Sequence, residues 1–202
     1  PRYGDSSIVR LDVDDGNTLQ SPLNWSYDAS DIDVSADGSG LVFARTEYID
    51  PANQSLGTTK SIYYKPVDYP GSMYKIDGFD GDASGASGSP RISQVDGKTL
   101  ILFESNKTDV SFSHNDHPSG APVGNNLYIH DLGHRSTALV NVDGSQASFS
   151  SGSSAWSADL SSDGNYVVFN SNASSTALTG TATHNVYRID LSNHSVELIT
   201  DS

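Results

Sequence analysis

One pattern recurs along this chain and restricts it to few folds. Asp-Gly sits between two short apolar runs, and two further strand-sized runs follow. The last copy is the clearest. Ala155-Trp-Ser-Ala-Asp-Leu-Ser-Ser-Asp163-Gly164-Asn-Tyr-Val-Val-Phe169 is followed by Asn185-Val-Tyr-Arg-Ile-Asp-Leu191 and Ser195-Val-Glu-Leu-Ile-Thr200. Asp-Gly between apolar runs is the strongest short-range hairpin signal. Tyr166-Val-Val-Phe169 is β-branched and aromatic, the composition of a strand packed on both faces. Four such strands joined as a meander have the size and order of one propeller blade.

The unit repeats. Ser35-Ala-Asp37-Gly38 leads into Leu41-Val-Phe43, and Gln94-Val-Asp96-Gly97 leads into Leu100-Ile-Leu-Phe103. The third strands begin at Ser7, Ser61, Asn126 and Asn185, spaced by 54, 65 and 59 residues. Tyr63, Tyr128 and Tyr187 share one position in that strand and are expected in the core. A single repeat of this size cannot bury both faces, so neighbours must stack.

The run Ser-Ser-Asp-Gly-x-Tyr-Val-Val-Phe, then Asn-Val-Tyr-x-x-Asp-Leu and x-Leu-Ile-Thr, resembles the PD40-type (TolB-like) β-propeller repeat. The resemblance covers most of the chain and weakens in the middle copy, where Gln94-Val95 replaces the small residues before Asp-Gly. It implies an all-β propeller of four-stranded antiparallel blades in an exported bacterial protein, periplasmic, secreted or at the cell surface. It implies no one activity, because such propellers carry many.

The repeats divide the chain into a half blade at 1–24 and blades at 25–76, 77–140 and 141–202. That makes about three and a half blades, against four to eight in a closed propeller. The expectation is a part of a larger propeller, its missing inner strands supplied by the rest of the protein or a second chain. A small four-bladed ring is the rival. Strands are expected at 32–35, 40–46, 61–66 and 72–76 in the first full repeat, and at 91–94, 99–105, 126–131 and 137–141 in the second.

Loop lengths give the molecule two unlike ends. The turns at Asp37-Gly38, Asp96-Gly97 and Asp163-Gly164 are tight. The loops at 47–60, 106–125 and 172–184, and the connections at 77–90 and 142–155, are long and emerge together at the other end. Long loops on a rigid framework are where binding or catalysis usually resides.

Charge limits the partners. The 202 residues carry a formal charge of −14 and no cysteine. A disulfide framework is excluded. Nucleic acid and anionic membrane surfaces, which need Lys/Arg patches, are disfavoured. No apolar run approaches the roughly 18 residues of a membrane-spanning helix.

Three groups of residues could carry chemistry. Asp80-Gly-Asp82-Ala-Ser84-Gly85, with Asp77 nearby, has oxygen ligands at the first, third and fifth positions and Gly at the sixth, as calcium loops do. Arg91 stands where the bidentate acid would be, and a solvated turn is the plain alternative. Asp12-Val-Asp14-Asp15-Gly16-Asn17 reads better as a hairpin turn. In the middle insertion, Asp109, Phe112, His114, Asp116 and His117 gather groups suited to metal binding or general acid–base work, without a known ligand spacing. A polar surface loop is the default reading of them. Tyr48, Phe79, Phe112 and Phe149 lie in or beside long loops, where aromatic rings stack on sugars or anchor peptides. His130 and His134 fall at the tight-turn end and are not joined to this group.

Nucleophile elbows and phosphate-binding loops are lacking. The first expectation is therefore a non-enzymatic module that binds a protein, peptide or carbohydrate through the long-loop end, with calcium as a possible stabiliser. Tyr48, Phe79, Asp109, Phe112, His114 and Asp116 would be its ligand-binding residues. The alternative is the propeller part of a polysaccharide lyase or propeller-gated peptidase, with His114, Asp116 and His117 as base or metal ligands.

Overall fold

The computed structural model describes residues 28–50, 52–69, 72–78, 85–107, 110, 124–141, 154–172 and 184–200. The expected half blade at 1–24 lies outside them, as does the turn at 12–17. Within the described residues the fold is all-β and propeller-like, three four-stranded antiparallel meanders, each with its strands in sequence order. The first holds β1 (Asp28–Val34), β2 (Gly40–Tyr48), β3 (Thr58–Pro66) and β4 (Tyr74–Lys75). The second holds β5 (Ser87–Val95), β6 (Lys98–Ser105), β7 (Asn126–Asp131) and β8 (Ser136–Leu139). The third holds β9 (Ala155–Leu160), β10 (Tyr166–Ser171), β11 (Asn185–Asp190) and β12 (Ser195–Leu198).

One cross-strand pair is common to all three sheets. Phe43 lies opposite Tyr63, Phe103 opposite Tyr128, and Phe169 opposite Tyr187. Their rings stack with centroids 6.1, 5.5 and 5.7 Å apart. Each pair contributes on the order of 1 kcal/mol beyond its burial. Phe103 and Tyr128 pack back onto Val42, Ile62 and Ile76 of the first sheet. Phe169 and Tyr187 pack back onto Leu102, Leu127 and Val140 of the second. Each sheet thus has a rear face with the aromatic pair and a forward face that is aliphatic at the matching positions, with Tyr64 adding one ring to the forward face of the first. All three tyrosines are buried, as their shared position in the repeat predicts.

The turns differ in mechanism. In the first and third sheets a Ser-x-Asp-Gly loop closes through Gly38 N–H to Ser35 O and Gly164 N–H to Ser161 O. The Asp side chain caps the turn, Asp37 Oδ1 accepting from Ser39 N at 2.9 Å. The middle turn has two residues only, Asp96 (φ 48°) and Gly97 (φ 78°), between the paired Val95 and Lys98. Positive φ at both positions defines the type I′ hairpin. Gln94-Val95 can therefore replace the small residues, because no serine is needed to cap it.

The first strands of the first two sheets start before the expected 32–35 and 91–94, and the first strand of every described sheet carries a bulge. Asp31, Ser89 and Ser157 have φ of 52°, 51° and 52° at matching points of β1, β5 and β9. The ladder register shifts there in all three. A carboxylate of the preceding sheet takes each following bulge N–H. Asp31 accepts from Ser89, and Glu104 Oε1 from Ser157 at 2.8 Å. The fourth strand of the first sheet is shorter than expected. Ser72 N bonds Tyr69 O in a local turn, leaving only Tyr74 and Lys75 in the ladder.

The buried Tyr128 makes the core sensitive to alkali. Burial pushes its hydroxyl up to about 12, whereas an unfolded tyrosine ionises near 10. The neutral phenol thus stabilises fully below about pH 10, and this is lost as pH rises towards 12, by roughly 2–3 kcal/mol. Urea titrations at pH 8, 10 and 11.5 are expected to show this decline, and Tyr128→Phe to flatten it.

Candidate functional site

The three sheets are not equivalent at the long-loop end. In the second and third, the second residue after the fourth strand bonds back to its own sheet. Asn141 Oδ1 accepts from Leu127 N (2.9 Å), and Thr200 Oγ1 accepts from Val186 N (3.1 Å). The first sheet has Asp77 at this position, and Asp77 reaches forward instead. Its Oδ2 accepts from Lys107 Nζ of the second sheet at 2.8 Å, with both side chains 0 % exposed.

A chain of buried polar groups continues from this pair. Lys107 Nζ also donates to Ser61 Oγ at 2.8 Å, and Ser61 Oγ donates to Glu47 Oε1 at 2.8 Å. Glu47 Oε1 is ion-paired with Lys75 Nζ at 2.8 Å, and Glu47 Oε2 accepts from the Tyr63 hydroxyl. Arg45 lies over the Tyr63 ring, 5.7 Å from its centroid. Burial pushes the Glu47 carboxyl up, but the bonds from Lys75, Tyr63 and Ser61 outweigh it and hold it below the usual range. Its contribution is accordingly present above the ordinary glutamate range and is lost as pH falls through the depressed value. Glu47 and Asp77 are matched by Lys75 and Lys107. The matched charges suit the cluster to holding backbone in place. Asp77 Oδ1, also buried, has no hydrogen-bond partner.

The position of this network matters for function. Asp77 is the last buried residue before the 79–84 segment, and Lys107 opens the insertion at 108–123. Val110, three residues on, is buried in the core between the first two sheets. Asn106 joins the same two segments, its Oδ1 accepting from Ala86 N (2.6 Å) and its own N–H donating to Ala86 O (3.1 Å). Thr59 Oγ1 donates to Gly85 O at 2.8 Å. A Cβ on Gly85 would meet Asn106 Oδ1 at 2.6 Å, so this contact needs glycine.

Of the candidate ligand-binding, metal and catalytic residues, two fall in the described part. Tyr48 ends β2 opposite Thr58 and is half-buried, one residue from Glu47. Asp77 is in the network. Phe79, Asp80, Asp82, Ser84, Asp109, Phe112, His114, Asp116, His117 and Phe149 lie outside the described residues. His130 and His134 are at the tight-turn end, His130 Nδ1 beside Thr137 Oγ1 (2.9 Å) and His134 Nδ1 beside Asp131 Oδ2 (2.8 Å). Among the described residues no group of three or more His, Cys, Asp or Glu could hold a metal ion. No described helix is long and apolar enough to cross a membrane.

Sequence reasoning missed Glu47, Ser61, Lys75 and Lys107. The signal was a departure from the repeat. Lys75 stands where the later copies have Leu139 and Leu198, and Glu47 and Lys107 stand where the last has Ala173.

No protein-family model and no curated protein matches the chain. Solved structures similar to it include two α-L-arabinofuranosidases. An α-L-arabinofuranosidase from Lactobacillus brevis matches over 93% of this chain and 57% of its own, at 11% identity and a TM-score of 0.40. An α-L-arabinofuranosidase from Fusarium graminearum, in complex with an iminosugar inhibitor, matches over 80% and 45%, at 8% identity and a TM-score of 0.40. The chain spans about half the length of these structures, and at this level neither likeness bears on what it does.

The ion pair has a measurable signature. Removing one partner strands a buried charge, at a cost of about 3–5 kcal/mol, whereas replacing both with apolar residues of similar volume is often nearly neutral. Lys107→Ala and Asp77→Ala are each expected to cost that much in urea unfolding. The double variant Asp77→Leu with Lys107→Met is expected to recover most of it.

Proposed function

We propose that this chain is a non-catalytic binding module of an exported bacterial protein, recognising a peptide, glycan or protein partner at its long-loop end. One observation carries this reading. The two segments that bear most of the candidate residues, 79–84 and 108–123, are both rooted on the buried Asp77–Lys107 pair and joined by Asn106 and Ala86. A rigid root for two long loops is what a binding surface needs, since ordering loops on binding costs affinity. The matched charges of the root favour holding over reacting. The finer architecture, three and a half blades with residues 1–24 as outer strands of a further blade, rests on the likeness of residues 7–13 to the third strands.

The test is a screen of the purified chain against glycan and peptide arrays, followed by calorimetry on the strongest binder. Tyr48→Ala, Phe112→Ala and His114→Ala are expected to weaken binding at least tenfold without turnover. Hydrolysis or elimination of a polysaccharide or peptide that His114→Ala and His117→Ala abolish would replace this reading with the enzymatic one.

Calcium in the 77–84 segment belongs to the same proposal. Asp77 Oδ2 accepts from Lys107 Nζ, which leaves the unpartnered Oδ1 for a cation. Asp80, Asp82 and Ser84 would supply the other oxygens. Millimolar calcium is expected to raise the melting temperature over that in EGTA, and Asp80→Asn with Asp82→Asn to remove the difference. Identical melting curves for the parent chain would end the calcium reading.

A further inference from the structure

Asp-Gly is more than a turn signal, because the pair carries both partners of a reaction. The glycine nitrogen can attack the carboxyl carbon of the preceding aspartate, and no Cβ on the glycine hinders the approach. Four such pairs fall among the described residues, at Asp37, Asp77, Asp96 and Asp163. The structure places them in three different environments.

Three of the four are restrained. Asp37 Oδ1 accepts from Ser39 N (2.9 Å) and Ser35 Oγ (2.8 Å), and its Oδ2 accepts from Ser39 Oγ (2.9 Å). Asp163 Oδ1 accepts from Ser161 Oγ (2.5 Å) and Asn165 N (3.1 Å). The attacking nitrogens are held as well, Gly38 N donating to Ser35 O at 2.8 Å and Gly164 N to Ser161 O at 2.9 Å. The bond from Ser39 N and that from Ser161 Oγ, with their neighbours, hold the two carboxyls below the usual aspartate range. Ring closure uses the protonated acid, so this also protects them. Asp77 is 0 % exposed and ion-paired with Lys107, away from water.

Asp96 has none of these restraints. It and Gly97 are both exposed. Among the described residues its side chain makes no hydrogen bond or ion pair, and Gly97 N donates to no backbone acceptor. There is room for a ring. A Cβ on Gly97 would meet nothing within 4 Å, whereas one on Gly164 would meet Leu100 Cδ1 at 3.1 Å and Val95 Cγ2 at 3.2 Å. Gly38 is as open as Gly97, so at Asp37 protection rests on the hydrogen bonds.

We propose that the β5–β6 turn is a self-modifying site, at which Asp96 converts spontaneously to isoaspartate faster than the other three. Gly97 N attacks Asp96 Cγ and the N–Cγ bond forms. The bond from Cγ to the protonated oxygen breaks, and water leaves with the amide proton. Water then opens the five-membered imide. Opening at Cγ restores aspartate. Opening at the main-chain carbonyl leaves the chain running through Cβ and Cγ, and no other reactant is consumed. The product threads an extra backbone carbon through a turn built for two residues. The site lies at the tight-turn end and is independent of what the long loops bind.

The folded chain is incubated at pH 6 and 37 °C, and isoaspartate at each pair is quantified by peptide mapping with electron-transfer fragmentation. A parallel sample is held in urea. In the folded chain isoaspartate at Asp96 is expected to exceed that at Asp37 and Asp163 roughly fivefold or more, the factor that one net hydrogen bond corresponds to. Asp77 is expected to be lowest. In urea the four rates are expected to converge, since the restraints belong to the fold. Equal accumulation at Asp37 and Asp96 in the folded chain would overturn the proposal. So would the same ranking in urea, which would assign the difference to neighbouring sequence. A folded chain without isoaspartate at Asp96, beside a urea sample that accumulates it, would show that the turn forbids ring closure.

Discussion

A four-stranded meander with apolar side chains on both faces must be covered on both, and this requirement organises the molecule. Phe103 with Tyr128 covers Val42, Ile62 and Ile76, and Phe169 with Tyr187 covers Leu102, Leu127 and Val140. The contact is directional, aromatic onto aliphatic, so each sheet fixes the orientation of the next. Within each described sheet the meander puts the tight turns at one end and the roots of the long segments at the other. The ring packing keeps those ends aligned from sheet to sheet.

The charged network departs from this apolar logic at one junction. Buried ion pairs seldom add net stability over apolar replacements, because the desolvation cost rivals the attraction. A position that holds leucine elsewhere in the repeat holds Lys75 here. Lys107 bonds both Asp77, at the exit of the first sheet, and Ser61, within it. The geometry is specific where an apolar contact would allow sliding. The two loop roots are thereby fixed relative to each other as well as to the core.

Much of the framework was legible because the repeat repeats its chemistry. Asp-Gly located all three hairpins, and the shared tyrosine position identified the core. The strand bulges were not legible, since Asp31, Ser89 and Ser157 share no pattern with each other beyond short polar side chains. The polar network was hidden for a different reason. Glu47, Ser61, Lys75, Asp77 and Lys107 are scattered over sixty positions, and only the stacking of two sheets brings them together. Read singly, Lys75 and Lys107 look like ordinary surface lysines. Read against the equivalent Leu139 and Ala173, each is a substitution that the repeat alone does not explain.

The bulges have a consequence for how such a chain behaves in a crowded cell. β1, β5 and β9 are edge strands, and an edge strand offers unpaired N–H and C=O groups to any other extended segment. A regular ladder needs several consecutive residues in β geometry, and a residue at φ near +52° interrupts it in the middle of each edge. At Ser89 and Ser157 the N–H is also already taken, by Asp31 and Glu104. These edges are therefore poor templates for cross-β growth. The same local strain that bends the strand guards the fold against fibrous assembly.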